Sequence, residues 1–466
     1  MWEKKYDLVI YGKWLAGLLV ASKLYKTHNI LIISKWELSN SKISWWELST
    51  RWLKQKSLFD TIIENGEYLN DIWFLKLFLE NIEEAMTALS LKYDIQTSFL
   101  WWHIHIWKVL LDLENEIKKY CDFLEWEISN LHIDFNKIHG IEYFDWENTH
   151  NIATKSLLFA TWWFGNLFNF NDYISDNYMF TPIWVAIENG VVVKNLEFIM
   201  LHPFGNSWES KSVNWYIAKT DRLAGKDVVD KNGKRIVELE SFLNAHNAHQ
   251  NFTAILKIFY KNKELFIWGE KKSPLVHYTI WWIKINKDFM SNVKGVFALW
   301  EISCWISWAS RVWGIALSEI ISFHKQASLW INSYLNNYKE SSISYDMPNN
   351  QNYDIYQIQE TKDKIKKLFT FELIYGWEES KFQETLKQLY LLSDNSYKHI
   401  AISFIISMIK RKESRGSFYR LDYLNKSFIT YNSETIFNMW KYSIKKKLSN
   451  NLFRLKISII KKIHWF

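Results

Sequence analysis

With 466 residues, 48% hydrophobic and 23% charged, the chain has the composition of a soluble globular protein and can bury one large core or two to three smaller ones. A net charge of +7 is too slight at this length to argue for a nucleic-acid partner. Two cysteines, Cys121 and Cys304, make neither a disulfide framework nor a clustered metal site, and no metal is expected.

One count departs from the ordinary. Tryptophan occurs 28 times and glycine only 14 times, whereas average usage of about 7% glycine would give roughly thirty. Trp-Trp pairs recur at Trp45-Trp46, Trp101-Trp102, Trp162-Trp163 and Trp281-Trp282. Adjacent indoles four times over have no simple packing rationale, whereas Gly-Gly pairs at tight turns have one.

In chain order, Tyr6 to Tyr11 (YDLVIY) is a short buried strand, and Gly12 to Gly17 (GKWLAG) is a turn. Leu18 to Lys26 carries apolar residues at helical spacing, and Asn29 to Ser34 (NILIIS) is a second apolar strand. This is the βαβ opening of a dinucleotide-binding domain. The same apolar stretch is interrupted by Gly12 and Lys13 and lacks a cleavage-site pattern, so it does not read as a signal peptide. The turn becomes a GxGxxG fingerprint if position 14 is glycine. The second glycine of that fingerprint lets the backbone approach a pyrophosphate seated on the helix N-terminus, and an indole at Trp14 would occupy the phosphate's place.

Later strands end in the same way. Leu157 to Thr161 (LLFAT) runs into Trp162-Trp163, and Val296 to Leu299 (VFAL) runs into Trp300-Glu301. Between Asn195 and Thr279 the pattern is irregular and more polar, as in an inserted domain. Pro348 and the polar stretch Asn349 to Asn352 mark a boundary. Beyond it Glu360 to Phe369, Lys381 to Leu392 and Tyr397 to Lys412 read as helices. The apolar run Ile400 to Ile409 falls short of the ~20 residues that cross a bilayer. Lysine is densest near the end (Lys445, Lys446, Lys447, Lys461, Lys462), which reads as a solvated helical tail. A cytoplasmic protein without a membrane span is the expectation.

These motifs, from about residue 6 to about residue 424, resemble a family of flavoproteins. It comprises L-aspartate oxidase and the flavoprotein subunits of succinate dehydrogenase and fumarate reductase. The strongest element is Arg411 to Tyr423 (RKESRGSFYRLDY), with Leu424 where the family carries proline. Further matches are Ser34-Lys35, Asn195 to Pro203 (NLEFIMLHP), Pro274 to Trp282 (PLVHYTIWW) and Ala298 to Leu317 (ALWEISCWISWASRVWGIAL). The family has glycine where Trp162, Trp163, Trp184, Trp281, Trp282, Trp300 and Trp313 stand. That pattern points to a codon which the source organism reads as glycine.

The resemblance implies an α/β fold: a Rossmann-like FAD-binding domain (1–195 and 280–340), an inserted α+β capping domain (196–279), and a C-terminal helical domain with its tail (349–466). It implies non-covalent FAD, since the Ser39 to Trp46 segment contains no histidine for covalent attachment. The cofactor contacts it implies are Gly12, Lys13, Trp14, Leu15 and Ala16 at the pyrophosphate, with Lys35 near the ribose. The segment Ser41 to Trp46, Glu301, and Ala316-Leu317 complete that set. Glu301 suits hydrogen bonds from ribose hydroxyls.

By the same resemblance His202, His277 and Arg311 hold a small dicarboxylate substrate between the FAD-binding and inserted domains, Arg311 by bidentate contact. The implied activity is the oxidation of L-aspartate to iminoaspartate, a step of NAD biosynthesis. A soluble fumarate reductase or succinate dehydrogenase-like flavoprotein, or a flavin-binding protein with degraded catalysis, are the other readings. Three departures bear on them. Leu100 stands where aspartate oxidases carry glutamate before Gly-Gly-His. The family's Thr-Glu pair after the HP motif has no clean counterpart, with Ala218-Lys219 or Thr220-Asp221 nearest. The proton-donating arginine of fumarate reductases has only Gln250 or Asn251 nearby, and neither can shuttle that proton in the same way.

Overall fold

The structure is a computed structural model. It describes residues 4–35, 46–49, 58–93, 101–104, 106–161, 167–170, 180–205, 228–229, 232–233, 256–257, 259–261, 265–267, 269–280, 282–303, 306, 315–339, 353–376, 378–438 and 441–448. The strands of the first third are β1 (Lys4–Tyr11), β2 (Ile30–Ile33), β3 (Trp46–Ser49), β4 (Trp101–Ile104), β5 (Asp122–Leu124), β6 (Glu127–Asp134), β7 (Lys137–Phe144) and β8 (Thr149–Phe159). There follow β9 (Val193–Lys194), β10 (Ile199–Gly205), β11 (Val228–Val229), β12 (Leu265–Ile267), β13 (Glu270–Thr279), β14 (Trp282–Ile283) and β15 (Val296–Ala298). A C-terminal hairpin, β16 (Tyr431–Asn438) and β17 (Lys441–Leu448), closes the series. The helices are α1 (Leu15–Leu24), α2 (Leu58–Asn65), α3 (Ile72–Tyr93), α4 (Ile106–Ile117) and α5 (Pro182–Glu188). After them come α6 (Ile315–Asn336), α7 (Ile355–Leu368), α8 (Phe371–Ile374), α9 (Glu379–Tyr390) and α10 (Ser396–Lys410).

The main sheet runs β5-β2-β1-β8-β7-β6. β1, β2, β5 and β8 are mutually parallel neighbours, and β7 and β6 are antiparallel additions. β8 is long enough to divide one edge between two partners. Thr149 to Ala153 pair with β7, and Leu157 to Phe159 pair with parallel β15. The central strands are buried on both faces, which is why YDLVIY and NILIIS read as apolar runs rather than alternations. Helix α1 buries Leu15, Ala16, Leu18, Leu19, Val20 and Ala21 against α4 and α6. The expected strand–turn–helix–strand opening is present, with Gly17 inside the first turn of α1 rather than in the loop. The mixed α/β class with a parallel sheet is thus observed.

Most of the segment between Asn195 and Thr279 that falls within the described residues forms a separate antiparallel sheet, β10-β13-β12-β11. The three helices read from the C-terminal sequence are α7, α9 and α10. Asp354 and Asn395 cap the first and last by accepting from backbone N–H groups of the opening turn. The expected helical tail is corrected at its start. Lys445, Lys446 and Lys447 lie on strand β17, paired with Glu434, Ser433 and Asn432 of β16. Strand pairing wins here because β16 docks on β9, and β9 pairs β14, which adds the hairpin to a four-stranded sheet. Lys461 and Lys462 lie outside the described residues.

The segment Arg411 to Tyr423 is a buried ion cluster. Arg411 donates through Nε to Glu197 at 2.5 Å and through Nη1 to Glu413 at 2.6 Å. Arg415 takes both oxygens of Glu413, at 3.0 and 2.7 Å, and reaches the Glu67 carbonyl at 3.2 Å. Arg420 grips Asp422 with two bonds and donates to the carbonyls of Met408 and Arg411. All three guanidiniums are at most 1% exposed. Burial alone would push the Glu413 carboxyl up, but Arg415 and Arg411 hold it below the ordinary 4.5.

Breaking a buried pair by removing one charge typically costs about 3–5 kcal/mol. Glu413→Gln is therefore expected to lose about that much unfolding free energy at pH 7, read from the urea midpoint. The depressed folded pKa means this stability is fully present above pH 4.5 and is lost as pH falls through the folded value. The variant's stability should accordingly fall less steeply than the wild type's below that point. A variant with an unchanged midpoint would show the cluster to be energetically neutral.

Candidate functional site

Three parallel strands reach the same edge of the main sheet in register. Tyr11 of β1 stands beside Phe159 of β8, and Phe159 stands beside Ala298 of β15. In the sequence, a tryptophan follows the last residue of each strand by two or three positions: Trp14, Trp162 and Trp300. Trp162 and Trp163 lie outside the described residues. In open α/β sheets, ligands bind beyond the carboxyl ends of the strands where strand order reverses, here on either side of β1.

The first turn is built on Gly12. Its N–H donates to the Ile33 carbonyl at 2.8 Å, and the Ala160 N–H donates to the Tyr11 carbonyl at 2.9 Å, drawing β1 and β8 together. Gly12 has φ +124°, and a Cβ there would stand 2.3 Å from the Ala160 carbonyl oxygen. Gly17 is equally constrained: a Cβ would lie 2.1 Å from the Gly12 carbonyl oxygen. These are the first and third fingerprint positions, for the tight turn and for close helix–strand packing. Helix α1 then starts at the sheet edge with no side-chain cap and no acidic residue in its first turn. Its first N–H groups and positive dipole end suit an anion.

The side chains over that cradle are another matter. Trp14 and Trp300 stack with ring centroids 4.5 Å apart and planes 15° from parallel, and both are buried. As written, the two indoles fill the space over the turn, so the backbone fits a pyrophosphate and these side chains do not. Glu301 follows within a 3-10 turn, Trp300–Ser303, and is 3% exposed.

The remaining expected contacts divide. Leu15 and Ala16 have fully buried side chains and offer the site only backbone N–H groups. Lys13 turns toward β5, 3.7 Å from Glu114 and 3.8 Å from Glu125. Lys35 follows β2 as expected, and its ammonium is 2.5 Å from Glu127 and lies over the Trp146 ring at 4.3 Å. Burial lowers the Lys35 pKa, against the pull of Glu127. Leu317 is buried in the first turn of α6, and Ala316 precedes it in the same helix. His202 is on β10 and His277 on β13, neighbouring antiparallel strands. His202 registers with Leu275, two residues from His277. Arg311, Gln250, Asn251 and most of the Ser41 to Trp46 segment lie outside the described residues, and β3 begins at Trp46. Trp146 went unnoticed in the sequence. It occupies the loop between β7 and β8, where an Asp-Gly pair would have signalled the turn.

A glycine-permitted strand-to-helix turn beneath a helix N-terminus, at the strand-order reversal of a mixed α/β sheet, is the backbone arrangement of a dinucleotide-binding domain. No family model matches the sequence. Curated relatives do. The L-aspartate oxidase of Clostridium perfringens is 22% identical over 390 residues, 71% of this chain and 88% of the relative. That of Saccharolobus solfataricus is 23% identical over 355 residues, 67% of this chain and 70% of the relative. Among solved structures, a mutant of the E. coli quinol fumarate reductase subunit FrdA superposes with TM-score 0.78 at 15% identity, covering 97% of each chain. Sdh1 of Mycobacterium smegmatis in the apo form gives 0.71 at 16% identity, covering 96% of this chain and 95% of the other. The sequence is thus similar to L-aspartate oxidases along two thirds or more of its length, and its fold is that of the fumarate reductase and Sdh1 chains it superposes on.

The Gly12 geometry is testable without any ligand. Gly12→Ala adds a Cβ at a positive φ against a backbone carbonyl, and should destabilise the fold by about 2–4 kcal/mol. Thermal unfolding followed by circular dichroism reads this directly. An unchanged melting temperature would mean that β1 and β8 do not approach as closely as described.

Proposed function

We propose that this chain is an FAD-dependent oxidoreductase that converts L-aspartate to iminoaspartate, the reaction by which aspartate enters NAD biosynthesis. The observation that carries the reading is that the curated relatives compared above are L-aspartate oxidases matching across two thirds or more of the chain. In this reading residues 1–195 and 280–340 form the FAD-binding domain, residues 196–279 cap it, and residues 349–466 make a C-terminal domain. FAD is held without a covalent bond. Its pyrophosphate lies on the turn Gly12 to Ala16, with Lys35, Glu301, Ala316 and Leu317 completing the site. The indoles of Trp14 and Trp300 have to vacate that turn for this to happen.

His202, His277 and Arg311 are the proposed substrate residues. A dicarboxylate needs fixed donors at both ends, and oxidation requires the reacting carbon to be held in one orientation. Arg311 supplies a planar, permanently charged fork that matches a carboxylate, and the two histidines supply ring N–H donors from adjacent strands. A specific observation favours a second reading, a soluble fumarate reductase-like flavoprotein. The FrdA subunit superposes over nearly the whole chain.

Turnover of the purified holoprotein with L-aspartate, with succinate, and with fumarate plus a reduced dye should proceed on L-aspartate. Fumarate reduction alone would select the second reading, and no turnover at all would select a binding protein with degraded catalysis. In the same preparation, Arg311→Lys should weaken dicarboxylate affinity by about 2–5 kcal/mol if the pair is buried, while FAD stays bound. Equal affinity for the two proteins would remove Arg311 from the site. Acid precipitation of the holoprotein should leave its yellow colour in the supernatant. Colour retained in the pellet would mean that FAD is attached covalently.

A further inference from the structure

We infer that positions 14, 146 and 300 are glycine in the protein its source organism makes, through a codon read there as glycine and written in this sequence as tryptophan. The backbone gives the first reason. Trp300 has φ +78° and Trp146 has φ +77°, a left-handed conformation that glycine adopts freely and a bulky aromatic residue rarely does. Seven glycines among the described residues have positive φ, among them Gly190 at +74° and Gly295 at +84°. Among the described residues Tyr68, Phe135 and Phe289 also have positive φ, at +61°, +45° and +62°, whereas the two tryptophans lie higher, within the +55° to +124° range of the glycines and a few degrees from Gly190.

The surroundings give the second reason. Trp146 sits between β7 and β8, where Asp145 accepts from the N–H groups of Glu147 and Asn148 and donates its own N–H to the Asn148 carbonyl. Asp followed by glycine at positive φ is a strong hairpin-turn combination. Trp146 is 41% exposed, and its ring lies against the ammonium of Lys35, which Glu127 already pairs. Trp14 has extended backbone dihedrals and makes no demand of its own on φ. Its neighbours do: Gly12 and Gly17 already meet the two outer requirements of the turn, and only the middle position breaks the spacing. Its indole stacks on Trp300, so both halves of this pair stand over one anion cradle.

The third reason is arithmetic at the level of the code. A single reassigned codon replaces one residue type by one other, and this chain has a surplus of tryptophan beside a deficit of glycine. UGA is read as tryptophan under some genetic codes and as glycine under others, so translation by the wrong table produces this pattern. The inference stops short of Trp73 and Trp330. They lie within α3 and α6, where glycine would cost roughly 1 kcal/mol relative to alanine and nothing in the structure asks for it.

Peptide mass spectrometry of the protein isolated from its source decides the matter, and it needs no flavin and no activity. Peptides spanning residues 6–23, 138–155 and 295–311 should each be lighter than the written sequence, by the difference between a tryptophan and a glycine at 14, 146 and 300. Tryptophan at any one of these positions overturns the inference. A recombinant pair supplies an independent arm that rests on the proposed FAD site. One gene encodes the written sequence, and the other carries Trp14→Gly, Trp146→Gly and Trp300→Gly. The glycine form is expected to bind FAD at least about tenfold more tightly in a fluorescence titration and to melt at a higher temperature. Equal melting temperatures would overturn the backbone argument. Glycine masses without FAD uptake would uphold the inference and sink the FAD reading instead.

Discussion

The constraint on which the rest of this structure depends is the contact between two backbones, the turn after β1 and the end of β8. No side-chain atom can come between Gly12 and the Ala160 carbonyl. That contact keeps β1, β8 and β15 in register at one edge of the sheet. It also sets where α1 begins, and Gly17 then lets the helix lie directly on the turn. The proposed pyrophosphate seat follows from a helix N-terminus brought to that edge without a side-chain cap.

How much of this was legible in the sequence follows from where the physical signal is local. Apolar runs gave β1, β2, the end of β8 and β15, because strands buried on both faces have no alternative composition, and helical spacing gave α1. The three C-terminal helices were legible because their sequences are helical in pattern and rich in charge, and the structure adds the caps Asp354 and Asn395 to the first and last. The hairpin was not. In KYSIKKKL the lysines mask a strand whose pairing is decided by β9, more than two hundred residues away. Trp146 was equally hidden, because a turn signal spelled with the wrong residue type is no signal at all.

The candidate site was legible as a set of motifs and less so as a geometry. The family resemblance implied Lys13 and Lys35 as cofactor contacts. Their ammonium groups instead lie near Glu114, Glu125 and Glu127, and such pairing is set by tertiary neighbours that no local pattern announces. His202 and His277 were likewise implied by the resemblance. A motif in each of two distant segments implied a shared site, and the backbone does put them on adjacent antiparallel strands.

The arginine cluster bears on the order in which the chain can fold as it is synthesised. Glu197 waits for Arg411, 214 residues further along, and the turn at Glu67 waits for Arg415 and Lys426. Until those cations leave the ribosome, the acidic partners have to remain hydrated, and the region around β9 and β10 cannot close over Glu197. The main sheet, from β1 through β15, is complete well before that. Synthesis therefore passes through a long interval in which a finished sheet stands beside an open flank. A nascent chain halted before residue 411 would expose that flank to proteases and to chaperones.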